Sequence, residues 1–410
     1  MRNRKQSQVA AALAVASMAL LTACGSSGSD ASKSSGTKLS SLDEIVIGAS
    51  VAKTGGQTFY GGPAMISVKE AIKDINAAGG VDGKKLRLVC EDSQTDFAKS
   101  AAAAEKVISE GANVVLVDCD FDYGLPAAQV AQKHGIVAMN LCAGSPRAGD
   151  PKILPDAFSM GIATNVEAAA IAEYAYNTLG YRNVYQLRDN SIEYSKSVCS
   201  YFADSFKQLG GKIVGEDGFN NSDTSLQSQV SKLRKAADSF DAINLCTYNP
   251  GLTTAVRQIR AAGVDKPLLG SFTWDGDSWL GSKGVGAVSN VYFPAYASLY
   301  GDDPRPEVNK LIATVKANLG SVPFTSFTTP GYSAVEALMK GIEMAGTTNA
   351  AKVVDAMESF KNQKFLVGPV TYDKSTHIRM QGKNDVAIMK VEAGKPSFVD
   401  FVSPQAVSAP

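Results

Sequence analysis

Histidine is nearly absent: the 410 residues hold two, His134 and His377, and neither stands in a metal-ligand or catalytic-triad spacing. Acid–base chemistry that draws on imidazole has little to work with here. An excess of one charge is lacking too, because 40 Lys and Arg offset 40 Asp and Glu. That balance argues against a nucleic-acid binder held by a basic face. No Cys-x-x-Cys pair occurs among the six cysteines, so zinc and thioredoxin-type readings have no support. Gly-x-Ser-x-Gly, His-Glu-x-x-His and Walker patterns are missing as well. The glycine-rich Gly281-Ser282-Lys283-Gly284-Val285-Gly286 follows Trp279-Leu280 rather than a strand and reads as a turn. These gaps predict neither an enzyme nor a cofactor or metal site.

What is present is the composition of a soluble globular protein, 45% hydrophobic and 20% charged, at a length that suggests two compact lobes. Arg2, Arg4 and Lys5 form a basic start, and Val9 to Leu21 is an apolar run that fits a signal-peptide core and is short for a permanent membrane span. It ends in Leu21-Thr22-Ala23-Cys24-Gly25, which resembles the bacterial lipobox. That resemblance implies a lipoprotein signal peptide over 1–23, lipidation (palmitate) of Cys24 and an extracytoplasmic, membrane-anchored protein. An ordinary cleaved secretory signal with an incidental cysteine is the alternative. Residues 24–42, rich in Gly, Ser, Lys, Ala and Thr, bury too little to order themselves and read as a flexible tether. No later segment is long and apolar enough to span a bilayer, which disfavours a transmembrane receptor.

Strand and helix then alternate. Ile45-Val46-Ile47-Gly48-Ala49 has the length and branching of a buried parallel strand. A glycine-rich connection, Thr54 to Gly62, leads to Pro63 in a first helical turn, with Met65, Val68, Ile72 and Ile75 as the apolar face. Gly79 and Gly80 stop that helix, and Leu86 to Cys90 begins a second strand. Further strands are expected at 114–117 and 136–139, with helices at 100–110 and 125–133. A second series starts near Asn165, with strands at 184–187, 212–214, 242–245, 267–269 and 291–294. Long helices over 304–362 and short strands at 370–372, 387–389 and 397–399 complete the chain. Two alternating blocks imply α/β architecture: two doubly wound, Rossmann-like lobes with a cleft between them. Loops at the carboxyl ends of parallel strands should face it.

The stretch Gly48-Ala49-Ser50, Thr54-Gly55, Tyr60-Gly61 and Ala71 to Leu86, with its Asn76-Ala77-Ala78-Gly79-Gly80 turn, resembles the opening of bacterial substrate-binding proteins of ABC importers, branched-chain amino acid (leucine/isoleucine/valine-binding) type. The resemblance covers nearly all of residues 43–402. It implies a type I periplasmic binding protein fold with three hinge crossings, near 160, 294 and 384. Lobe I would comprise 43–160 and 294–383, lobe II 161–293 and 384–402, with 403–410 as a tail.

In that family, loops of both lobes close on the ligand. Tyr60 falls on its first-loop tyrosine, and Tyr194 and Tyr248 on its second-lobe aromatic walls. Where the family offers Ser-Ser or Ser-Thr after the third strand, this chain has Asp118-Cys119-Asp120-Phe121-Asp122-Tyr123, whose carboxylates would repel a ligand carboxylate. Ala143-Gly144-Ser145 stands in place of Ala-x-Thr, and the acid that would meet an ammonium falls in Ser271 to Asp275, giving Asp275 with Trp274 beside it. The candidate ligand residues are therefore Tyr60, Phe121, Asp122, Tyr123, Ala143, Ser145, Tyr194, Tyr248, Trp274 and Asp275. Helix capping is an equal reading of Asp120 and Asp122, and Asp118 reads as structural. Cys119 and Cys142, at the ends of neighbouring strands, fit a disulfide in an exported protein. Cys90–Cys119 is the second choice and buried thiols the third; Cys199 and Cys246 read as buried thiols.

The expectation is a monomeric, lipid-anchored solute-binding protein that captures a small amino-acid-like or partly apolar molecule by hinge closure and delivers it to an ABC permease. A ligand-sensing lipoprotein for a membrane receptor and a surface hydrolase are the alternatives.

Overall fold

The computed structural model describes residues 36–276, 279–281, 285–321, 324–379 and 386–409; the signal peptide, Cys24 and part of the 281–286 turn lie outside them. Lobe I opens with β1 (Glu44–Val51), α1 (Thr58–Ala77), β2 (Lys85–Asp92), α2 (Phe97–Ser109), β3 (Val114–Val117), α3 (Phe121–Lys133), β4 (Val137–Asn140) and β5 (Ala157–Ile162). Lobe II follows with α4 (Thr164–Glu173), β6 (Asn183–Asp189), α5 (Glu193–Gln208), β7 (Lys212–Phe219), α6 (Gln227–Lys235), β8 (Ala242–Cys246), α7 (Gly251–Ala261), β9 (Leu268–Leu269) and β10 (Val291–Ala295). The chain returns to lobe I through α8 (Pro306–Leu319), α9 (Thr328–Ala345), α10 (Ala350–Glu358), the hairpin β11 (Gln363–Phe365) and β12 (Gly368–Val370), and β13 (Ile378–Arg379). It ends in lobe II with β14 (Val386–Glu392) and β15 (Lys395–Val402).

The first sheet has the order β13-β5-β4-β3-β1-β2, all parallel, and the second β15-β14-β10-β9-β8-β6-β7, with β14 and β15 added antiparallel. Both are doubly wound. The central strands β3, β4 and β8 are buried throughout because helices cover both faces, which is why they read as unbroken apolar runs rather than alternating ones. α1 and α9 cover the same face of lobe I. At Gly331 a Cβ would stand 2.1 Å from the Ala64 carbonyl oxygen, so the two helices meet backbone to backbone.

The chain passes between the sheets after β5, after β10 and between β13 and β14. Of the three crossings expected, the one near 384 lies outside the described residues.

Several local expectations are corrected. α1 begins at Thr58, so Phe59 to Gly62 are helical and Pro63 sits in the second turn, supplying no N–H to the ladder. α3 begins at Phe121 rather than at 125, because Asp120 Oδ1 accepts the N–H groups of Asp122 (2.9 Å) and Tyr123 (3.3 Å) and caps the helix there. The strand expected at 370–372 is β12 of a separate hairpin. The last tether residues are docked: Leu39 is buried in the lobe I core and its N–H bonds the Gly346 carbonyl. The tail is held as well, since the Glu173 carboxylate accepts from the N–H groups of Gln405 and Ala406. Cys199 and Cys246 are not separate buried thiols but a disulfide joining α5 to the end of β8. Cys90 is the free thiol among the described residues.

Candidate ligand site between the lobes

The carboxyl ends of β1, β3 and β4 face those of β6, β8 and β9 across one cavity. Its space outside the atoms is about 520 Å³, counting the part open at the mouth. Lobe I contributes Gln57 and Tyr60 from the start of α1, Cys119, Asp120 and Phe121 from the β3–α3 turn, and Cys142, Gly144 and Ser145 after β4. Lobe II contributes Ile192, Tyr194, Tyr248, Phe272 and Thr273, and the segments returning to lobe I add Tyr296 and Phe327. Tyr296 stacks on Phe272 with centroids 4.5 Å apart and meets Phe327 edge-on at 5.2 Å, so a continuous aromatic wall runs along one side. Tyr60 also meets Phe327 in a T-shaped contact at 5.2 Å. The Tyr296 hydroxyl donates to the Cys142 carbonyl (3.2 Å) and accepts from the Ile162 N–H (3.3 Å), fixing that wall to lobe I beside the first crossing.

Cys119 and Cys142 form a disulfide with Cα atoms 4.5 Å apart, tying the β3 and β4 loops together at the cavity floor. The polar groups near it divide into used and unused. Asp118 accepts from the Ala52 N–H (2.8 Å) and the Ser93 hydroxyl (2.6 Å) and holds the β1 and β2 loops, a structural role; burial pushes it up to about 6. Burial, then the neighbouring Asp122 carboxylate, pushes Asp120 up to about 7 against the lowering pull of its two helix N–H bonds. Gln57 Oε1 and Ser145 Oγ are buried and carry no hydrogen bond, although both residues line the cavity. Most buried polar atoms are paired, and a ligand in the cavity is in a position to pair these two.

Behind the lobe II wall sits Glu167 on α4. It is fully buried, and Oε1 accepts from the Tyr194 hydroxyl and the Phe272 N–H, each at 2.6 Å. Burial pushes this carboxyl up to about 8, so it holds its proton at neutral pH. Glu167 thus sets the position of two cavity walls without lining the cavity. Across the mouth, Asp122 Oδ2 accepts from the Glu193 N–H at 3.2 Å, a direct bond between the lobes.

A family model described as "Periplasmic binding protein" matches residues 44–396, both lobes and all the loops just described. The chain belongs to the periplasmic binding protein family. A relative, the leucine-, isoleucine-, valine-, threonine- and alanine-binding protein of Pseudomonas aeruginosa, is 26% identical over 328 residues, 77% of this chain and 83% of its own. Among solved structures, the branched-chain amino acid transporter substrate-binding protein LivJ of Streptococcus pneumoniae, in complex with isoleucine, superposes with a TM-score of 0.76 at 23% identity, covering 87% of this chain and 99% of that one. A solute-binding protein of an ABC transporter from R. palustris, in complex with benzoate, superposes at 0.70 and 18% identity, covering 88% and 97%. These are binding proteins, not enzymes.

Within this periplasmic binding protein the structure gathers five of the ten expected residues, Tyr60, Phe121, Ser145, Tyr194 and Tyr248, around one cavity. The other five lie elsewhere, each for a visible reason. The 3₁₀ turn Phe272–Trp274 advances about 120° per residue, so Phe272 and Thr273 face the cavity while Trp274 enters the lobe II core. There it is fully buried and meets Trp279 edge-on at 5.5 Å. Asp275 is placed one step further, with its carboxylate accepting from the Ser326 and Gly276 N–H groups. Tyr123 stacks on Phe97 at 5.0 Å, Asp122 bridges to α5, and Ala143 packs in the lobe I core. Gln57, Asp120, Phe272, Thr273, Tyr296 and Phe327 were not among the ten. Phe272 and Thr273 lie inside the expected stretch Ser271 to Asp275, whereas Tyr296 and Phe327 arrive on returning segments that no local pattern marks.

Proposed function

We propose that this chain is the solute-capturing lipoprotein of an ABC importer, anchored outside the cytoplasmic membrane through lipidated Cys24. As a monomer it closes its two lobes on a small amino-acid-like or partly apolar molecule and presents it to the permease. The observation that carries this reading is a cavity built from the strand ends of both lobes, with unpaired polar atoms inside and a lobe-to-lobe hydrogen bond at its mouth. Such a ligand would favour the closed arrangement by touching both lobes at once. The relatives that bind branched-chain amino acids and benzoate support a small solute with an apolar body. The test is a thermal-shift screen of leucine, isoleucine, valine and aromatic, amide, amine and polyol solutes. A ligand present at a hundred times its dissociation constant adds about 2.7 kcal/mol of stability. Tyr60→Ala and Tyr248→Ala should each abolish the shift produced by a hit. A folded protein, free of co-purified solute, that responds to no member of the screen would overturn the proposal.

A further inference from the structure

Resting on the solute-binding reading, we infer that the cavity selects a small organic cation, a protonated amine on an apolar body, with Asp120 as its counter-ion. Among the described residues no Lys, Arg or His lines the cavity, and Asp120 is the carboxylate that does. Oδ1 of Asp120 carries both bonds of the α3 cap, and Oδ2 takes no part in the cap. The walls are tyrosine and phenylalanine rings, whose faces carry negative potential and attract an ammonium or its flanking methylenes.

Several backbone donors beside Asp120 are engaged within the protein. The N–H groups of Asp122 and Tyr123 bond Asp120, and those of Cys142 (3.1 Å) and Ala143 (2.5 Å) bond Asn140 Oδ1. An anion in the cavity would face the Asp120 carboxylate with no cationic side chain among the lining residues, a penalty that grows as the lobes exclude water. Gln57 Oε1, an acceptor with no partner, fits an ammonium N–H, and the Ser145 hydroxyl can accept another.

Asp120 should make the binding pH-dependent. Asp118, Asp122 and Tyr123 face it from lobe I's own turn and helix, Tyr60 from α1 and Tyr248 from lobe II. With its carboxyl near 7 in the empty cavity, the fraction ready to meet a cation falls about tenfold from pH 8 to pH 6, while the amine stays charged. Affinity for the amine should fall by the same factor.

The test is calorimetric titration of the purified protein with two series that hold the apolar body and change the charge. One is isoamylamine, leucine and 4-methylpentanoate; the other is phenethylamine, phenylalanine and 3-phenylpropanoate. Expected is an amine that binds at least tenfold more tightly than its zwitterion, no binding of either carboxylate, and the loss of affinity toward pH 6. Asp120→Asn keeps a capping oxygen for α3 and should remove both the amine preference and the pH dependence. Should that variant misfold, the wild-type ranking decides alone. Tighter binding of leucine or phenylalanine than of the amines would overturn the cation assignment and leave the solute-binding reading standing. An amine preference unchanged in folded Asp120→Asn would overturn it as well. Failure of both amines to bind, with any other solute stabilising the protein, would overturn the cation assignment only; failure of every solute would overturn both.

Discussion

Truncating Glu167 should loosen two cavity walls at once. Its buried carboxyl accepts from the Tyr194 hydroxyl and the Phe272 N–H at 2.6 Å each. Glu167→Gln keeps an acceptor oxygen and nearly the same volume, whereas Glu167→Ala strands both donors. An unsatisfied buried group costs about 1–3 kcal/mol, and a void from several deleted atoms adds to it. Glu167→Ala should therefore lower stability by about 3–5 kcal/mol and Glu167→Gln by less than about 1 kcal/mol, read by urea unfolding at pH 6. The sign of the pH effect follows from the raised carboxyl. The folded state keeps a proton that the unfolded chain gives up near 4.5, so this contribution is fully present below 4.5 and is lost as pH rises to about 8. Wild type should lose stability over that window, and Glu167→Gln should lose less. Glu167→Ala within about 1 kcal/mol of wild type, or equal pH slopes in wild type and Glu167→Gln, would refute the supporting role.

Thiol titration of the denatured, unreduced protein lacking residues 1–33 should find one thiol, Cys90, and peptide mapping should pair Cys119 with Cys142 and Cys199 with Cys246. Replacing Cys199 and Cys246 together by Ser opens a loop with a sequence separation of 47 and should cost about 4 kcal/mol, read by urea unfolding. Gly331→Ala drives a methyl group into the Ala64 carbonyl and should lower stability by about 1–3 kcal/mol, visible as a lower melting temperature. Cys24→Ser should abolish palmitate labelling and release the protein from the membrane fraction; unchanged labelling would show that Cys24 carries no lipid anchor.

The sheets were legible because a strand covered on both faces shows as a short apolar run, as Ile45-Val46-Ile47 and Val114 to Val117 do. β5 was harder to see, since Ala157 to Ile162 contains Ser159 and Gly161, and its hydrogen bonds join it to the edge strand β13 some 216 residues later. Tyr60, Tyr194 and Tyr248 were placed through the family resemblance, and all three line the cavity. Trp274 and Asp275 do not, because within one 3₁₀ turn a single residue of offset exchanges cleft for core. Glu167 was silent in the sequence: its partners lie 27 and 105 residues away, and only the closed second lobe brings them together. The second disulfide was likewise hidden, a helix cysteine and a strand-end cysteine that meet through the packing of α5 on β8.

Closure of the two lobes on a captured solute makes the protein more compact. Small-angle scattering of the solute-free protein and of the protein saturated with a thermal-shift hit tests it most directly, with Tyr248→Ala as the control. Expected is a smaller radius of gyration on saturation in wild type and no change in Tyr248→Ala at the same solute concentration. Equal radii with and without bound solute in wild type would contradict closure.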